Sequence, residues 1–319
     1  MNELNIIKTR KLLLSVSTLY SNIDSCIGDL VKARLSKDTE LEGRACLQME
    51  SLMTATTQEL ACVMDFLFVE DCEKIVFLGD YHDPYLHEGI DYNQSFANFL
   101  EIVDFAKKHS DKVVLLLGNH DLSYYRRDEK DNWNVFANRI DVFNYKKLCT
   151  VFIENQDLFK IIDIFEMPES KQFFLFSHAG VQDEWISSNN LIDGFDVNKT
   201  DALTIYNTLT TAFNNGDGHF KYSLRDMSYY RGGYCDSGSI VWGDCHEFFM
   251  YPQTPYIQIF GHTQQLKKHY DAASDEVTWI PDTPVVFSNN VCVDCHKCFY
   301  IDEDGALRDL QTDIILFEF

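Results

Sequence analysis

Four short apolar runs in this chain stop in the same way. "KIVFLGDYHDPY" ends in Gly79, Asp80 and Asp83, and "KVVLLLGNHDLSYY" in Gly118, Asn119, His120 and Asp121. "QFFLFSHAGV" ends in Ser177 and His178, and "YIQIFGHTQQ" in Gly261, His262 and Thr263. Apolar runs this short are read as buried strands. In α/β proteins the carboxyl ends of such strands are where ligands sit. One strand ending in Gly-Asp is an ordinary turn. Four that each deliver an Asp, Asn or His describe a sheet edge built to hold something. Carboxylate, amide oxygen and imidazole together suit Mn, Fe or Zn rather than a thiolate metal or an all-oxygen cage.

Further apolar runs at 11–17, 285–287, 291–301 and in the final "IILFEF" add candidate strands. Helical periodicity lies between the early ones. Ile23, Cys26, Ile27, Leu30 and Val31 share one face after a cap at Ser21 or Asn22, and Phe96, Phe99, Leu100 and Val103 share another. Residues 45–69 form another helix candidate. The first half thus alternates β and α, and the last stretch is mostly strand. This predicts an α/β (α+β) chain with two packed sheets and helices outside them. No repeat or Pro/Gly/Ser linker divides the 319 residues, so residues 1–319 are read as one domain, with an Asn/Asp/Gly-rich excursion at about 194–236.

With 50 acidic against 27 basic residues, the formal charge is -23. Such a surface repels nucleic-acid backbones and anionic membranes and favours neutral, cationic or metal-assisted partners. The opening "MNELNIIKTRKLLLSVSTLY" is too short in apolar residues to span a membrane and lacks a secretory cleavage pattern. The ten cysteines are therefore read as reduced thiols of a cytoplasmic protein.

The ordered set GDxxD, GNHD, SHAG and GHT resembles the calcineurin-like metallophosphoesterase superfamily, nearest its phosphoprotein-phosphatase-like branch. The resemblance implies a four-layer fold, a two-sheet β-sandwich flanked by helices, with the site at the strand ends. It also implies a phosphoester hydrolase acting on a phosphorylated small molecule or a phosphoprotein. Residue by residue, the bridging carboxylate falls on Asp80 and the second-metal ligands on Asn119, His178 and His262. The leaving-group acid falls on His120, oriented by Asp83.

The family opens with an Asp-x-His that holds the first metal. In register this chain has Thr18 and Tyr20 instead, on a strand and before a helix that otherwise fit. The expectation is half of a binuclear site with its ligands replaced, holding one Mn, Fe or Zn ion, with a second only if another group refills the gap. Tyr20 as a phenolate on ferric iron, His82 swung in on Asp80's face, or a shifted register are the alternatives. Pro84-Tyr85 stands where phosphoprotein phosphatases carry Arg-Gly; Arg231 or Arg225 is the candidate replacement for phosphate binding, unless each is simply an ion-pair residue. Cys292, Cys295, His296 and Cys298 invite a zinc reading, but their spacing is compressed and structural thiols are favoured. Two functions remain: a metal-dependent hydrolase, or a pseudophosphatase that keeps one metal and captures a phosphorylated ligand without efficient turnover.

Overall fold

The computed structural model describes residues 12–16, 72–84, 90–127, 133, 139–250, 254–271, 276–281, 283–295, 298–309 and 314–319. The helix candidates at 23–31 and 45–69 lie outside them, as do Thr18, Tyr20, Tyr85 and His296.

Strands β1 (Leu12–Val16), β2 (Cys72–Phe77), β3 (Val113–Leu116) and β4 (Phe159–Lys160) run parallel. Antiparallel β12 (Cys298–Ile301), β13 (Leu307–Asp309) and β14 (Ile315–Phe317) extend them into one sheet, ordered β14-β13-β12-β1-β2-β3-β4. The second sheet is ordered β10-β11-β7-β6-β5, from β5 (Ile162–Glu166), β6 (Phe173–Ser177), β7 (Ile257–Phe260), β10 (Val285–Phe287) and β11 (Asn290–Cys292). Strands β8 (Leu266–Asp271) and β9 (Glu276–Pro281) pair as a separate hairpin.

Side-chain alternation divides these strands between two cores, because successive residues point to opposite faces. Val76, Leu78, Val114 and Leu116 of the first sheet meet Phe174, Phe176, Ile257, Ile259 and Val291 of the second. The opposite faces carry Ile75, Phe77, Val113 and Leu115, buried with Phe99, Val103 and Ala106 of helix α1 (Tyr92–Lys108). Helix α2 (Tyr145–Glu154) buries Leu148 and Phe152 in the same cluster. Beyond the short helix α3 (Asp183–Ser188), α4 (Ala202–Asn215) packs on β5 and β6 through Ile205, Leu209 and Phe213, and the short α5 (Gly218–Ser223) follows it. Helix, sheet, sheet, helix is the resulting stack.

The run 291–301 is not one strand. Strand β11 ends at Cys292, residues 293–295 lie outside any strand, β12 begins at Cys298, and the cysteines part company. Cys298 faces α1's core, Cys295 lies between the sheets, and Cys292 sits in a third cluster with Cys245, Phe248 and Phe260. Among the described residues no helix is long and apolar enough to cross a membrane.

Candidate metal centre and its surroundings

Strands β2 and β3 lie side by side in one sheet, β6 and β7 in the other, and the turns after all four open at the same end. Each turn is tightly constrained. Asp80, Asp83 and His262 hold φ values of 58°, 64° and 66°, a left-handed region that non-glycine residues occupy at a cost. A Cβ on Gly79 would lie 2.5 Å from the Gly118 amide nitrogen, and one on Gly118 would lie 2.1 Å from Asp80 Oδ1. The two turns therefore fit back to back only because both residues lack a side chain.

Asp121, fully buried, ties those turns together. Its Oδ2 accepts from the amides of Asp80 (2.6 Å) and Gly118 (2.8 Å), and its Oδ1 from the amide of Tyr81 (3.1 Å). Burial, and then the neighbouring charge of Asp80, pushes its carboxyl up to about 7. Sequence reading quoted this residue within GNHD but assigned it nothing.

Four donor atoms converge beside it. His178 Nε2 lies 3.2 Å from Asn119 Oδ1, 3.0 Å from His262 Nδ1 and 3.4 Å from Asp80 Oδ2. Two ligands held at ~2.0–2.2 Å from one ion are themselves about 3–3.5 Å apart, so these spacings fit a shared cation. The tautomer fits as well. His178 Nδ1–H donates to the Leu78 carbonyl (2.7 Å), so Nε2 is the nitrogen that faces the cluster. Burial opposes its charging, but Asp80 outweighs burial and raises this imidazole's pKa, so an ion seated here takes the place of a proton. His262 Nε2 is buried with no hydrogen-bond partner among the described residues, and burial, then Arg231 and His178, holds this imidazole well below its usual pKa, in the neutral form a ligand needs. Burial opposes ionisation of Asp80, but the charges of His178 and His120 outweigh it and keep the carboxyl well below the ordinary range. Asp80 Oδ1 is meanwhile fixed by the His120 amide (3.1 Å). A carboxylate oxygen, an amide oxygen and two imidazole nitrogens are a donor set suited to Mn, Fe or Zn.

His120 stands next to this cluster with Nδ1 hydrogen-bonded to Asp83 Oδ2 (3.0 Å). Burial alone would lower its pKa; the charge of Asp80 and the Asp83 hydrogen bond more than offset this and raise it. Asp83 is itself held through Oδ1 by Tyr124 Oη–H (2.6 Å) and the Asp141 amide (3.1 Å).

Two alternatives left open by the sequence find other partners here, and for Arg231 the ion-pair reading is the one that fits. His82 does not approach the cluster: its Nε2 meets Asp141 Oδ2 (2.9 Å) and its Nδ1 meets Ser95 Oγ (3.0 Å). Strand alternation was the wrong guide, because β2 ends at Phe77 and Asp80 belongs to a turn. Arg231 is committed elsewhere, with Nη2 donating to the His262 carbonyl (2.8 Å) and Thr263 Oγ1 (2.7 Å) and Nε paired to Asp244 Oδ2 (3.0 Å). Arg225 lies over the Tyr222 ring. A third arginine, unnoticed in the sequence, does reach the site. Arg139 Nη2 is 3.4 Å from His120 Nε2, and its Nε donates to the Asp83 carbonyl (3.2 Å).

The calcineurin-like phosphoesterase family model matches residues 26–266, most of the chain and all four of its turns. The chain belongs to that family. It is a mixed α/β phosphoesterase, a hydrolase of phosphoester bonds. The match begins beyond Thr18 and Tyr20. Among solved structures the phosphoesterase resembles a cold-active protein tyrosine phosphatase, at 12% identity and a TM-score of 0.37 over 94% of this chain and 78% of that one. It also resembles the cold-active protein-tyrosine phosphatase of a psychrophilic Shewanella, at 14% and 0.33 over 75% and 69%. Likenesses this distant do not bear on what this chain hydrolyses. No curated protein matches the sequence.

Proposed function

We propose that this phosphoesterase hydrolyses phosphomonoesters with one tightly held Mn, Fe or Zn ion bound by Asp80, Asn119, His178 and His262. The convergence of those four donors on one point carries the reading. A bound ion supplies Lewis-acid polarisation of the phosphoryl oxygen and acidification of the attacking water.

The chain's own groups do the rest. His120, protonated on Nε2 because Asp83 takes the Nδ1 proton's hydrogen bond, donates to the departing oxygen. Asp83 keeps the ring's orientation and favours its charged form. Arg139, whose guanidinium stands beside that Nε2, holds a phosphoryl oxygen in place of the arginine absent at Pro84-Tyr85. Arg231 braces the turn of His262 through its carbonyl.

Residues Thr18 and Tyr20 bear on the number of ions and on the rate. A hydroxyl and a neutral phenol, with a pKa near ~10, are poor ligands for a divalent ion. We therefore expect one ion and slow turnover of an aryl phosphate in the unmodified protein, with both lost in Asp80→Asn. Thr18→Asp with Tyr20→His should raise ion content and rate together. A rate indifferent to chelator and to Asp80→Asn overturns the proposal. A second ion gained with no gain in rate favours a pseudophosphatase that binds its phosphorylated ligand without efficient turnover.

A further inference from the structure

Next to the turn of His262 lies a second group of metal-binding side chains, of different chemistry. Asp244, Cys245 and His246 open a 3-10 turn (Cys245–Met250), and their ligand atoms lie within 4.8 Å of one another. His246 Nδ1 is 2.7 Å from Asp244 Oδ1 and 3.7 Å from Cys245 Sγ. A fourth donor arrives from another element: Cys292, at the end of β11, is buried in one cluster with Cys245. Gln265 Nε2 touches both sulfurs, at 3.4 and 3.8 Å.

We propose that Asp244, Cys245, His246 and Cys292 form a zinc site, distinct from the catalytic ion, that braces the turn carrying His262. With Zn–S near 2.3 Å and Zn–N or Zn–O near 2.0–2.2 Å, neighbouring ligand atoms of a tetrahedral site lie about 3.3–3.8 Å apart. The 3.7 Å separation falls within that range, while the 2.7 Å between His246 Nδ1 and Asp244 Oδ1 is a hydrogen-bond distance that opens by about 0.6 Å when an ion replaces the shared proton. Two thiolates, an imidazole and a carboxylate form a borderline-soft set that suits zinc, whereas the four donors of the catalytic cluster include no sulfur. Both cysteines are fully buried and Asp244 nearly so, while the side chain of His246 is 61% exposed and gives the ion an approach.

The surroundings fit the charge of the bound form. Zinc binding releases the protons of both thiols, and His246 binds as the neutral imidazole through Nδ1 with its proton on Nε2. Three anionic ligands then exceed the charge of one Zn²⁺, and Arg231, paired to Asp244 Oδ2, balances the excess. Gln265 Nε2 is placed to donate to the thiolates. The cluster also grips the neighbouring turn: the Cys245 amide donates to Thr263 Oγ1 (3.0 Å), and the Cys292 thiol lies 3.5 and 3.3 Å from the carbonyls of Gly261 and Thr263. Cys292 is the member of the cysteine-rich run that faces this cluster, so its partners come from 244–246 rather than from Cys295 or Cys298.

The inference stands apart from the phosphoesterase mechanism, and cobalt as a probe separates the two. The reduced, chelator-treated full chain is titrated with Co²⁺, then with Zn²⁺ in competition. One equivalent should give near-ultraviolet thiolate-to-cobalt charge-transfer absorption that zinc abolishes. Cys245→Ser and Cys292→Ser should each remove that band and weaken zinc binding by more than about 100-fold, beyond what loss of an outer-shell group costs. Asp80→Asn, which removes a catalytic ligand, should leave the band intact. His246→Ala, at an exposed position, tests the site if a cysteine variant fails to fold, and should weaken zinc while the far-ultraviolet dichroism stays unchanged. Absence of the thiolate band at saturating cobalt, or its persistence in both cysteine variants, overturns the proposal. So does a Cys245–Cys292 disulfide that, once reduced, still leaves the chain unable to bind zinc.

Discussion

Where Arg139 Nη2 and His120 Nε2 meet at 3.4 Å, two nitrogen donors point into one space as soon as the imidazole is protonated. Their mutual repulsion is relieved by an anion lying between them, which gives Arg139 a measurable part in phosphate binding. Hydrogen bonds to charged groups contribute about 1.5–3 kcal/mol. Arg139→Gln should therefore raise KM for an aryl phosphate, and weaken inhibition by inorganic phosphate, by roughly 10- to 100-fold, with a smaller change in kcat. Arg139→Lys should recover part of the loss. A purely structural role would instead lower stability and leave phosphate inhibition where it was. Nothing in the order of residues announces Arg139: it reaches His120 through a loop, and its neighbours there come from the turns after β2 and β3. Asp121 was in plain view inside GNHD, yet an acceptor for three backbone amides has no signature except the turns it serves.

Helix α1 begins with a reciprocal cap. Asp91 accepts from the amides of Asn93 and Gln94, and the Gln94 side chain accepts from the Asp91 amide. Asp91→Ala should lower unfolding free energy by about 0.5–2 kcal/mol in urea titration, with little change in activity. This helix and the strands were legible because their apolar spacing is regular: the runs at 74–79, 112–117, 172–177 and 257–260 become β2, β3, β6 and β7 within two residues at each end. Helix α4 was not. Its buried face is Ala202, Ile205, Leu209 and Phe213, but the Asn and Thr residues between them read as an irregular excursion, and packing on β5 and β6 is what makes them helical. The cysteine run failed in the opposite direction: the apolar residues on both sides of Asp294, His296 and Lys297 read as one strand, whereas its described thiols lie in three different clusters.

The net charge of -23 sets a condition on every anionic substrate that approaches this molecule. Arg139, and a cation at the centre, reverse the sign locally, but the long-range field still repels a phosphate dianion. Raising ionic strength from about 0.01 to 0.15 M shortens the screening length from ~30 to ~8 Å. The value of kcat/KM for a dianionic aryl phosphate should rise over that range, and stopped-flow or initial-rate measurements at fixed metal would show it. A falling kcat/KM would place the local positive groups, rather than the net charge, in control of encounter. The four donors also have a mechanical meaning. Asp80 and Asn119 follow strands of one sheet, His178 and His262 strands of the other, and an apolar cluster packs the layer between. A cation among them is a rivet through both plates, and pulling on the sheets in opposite directions should part them at a higher force with the ion seated than with it stripped out.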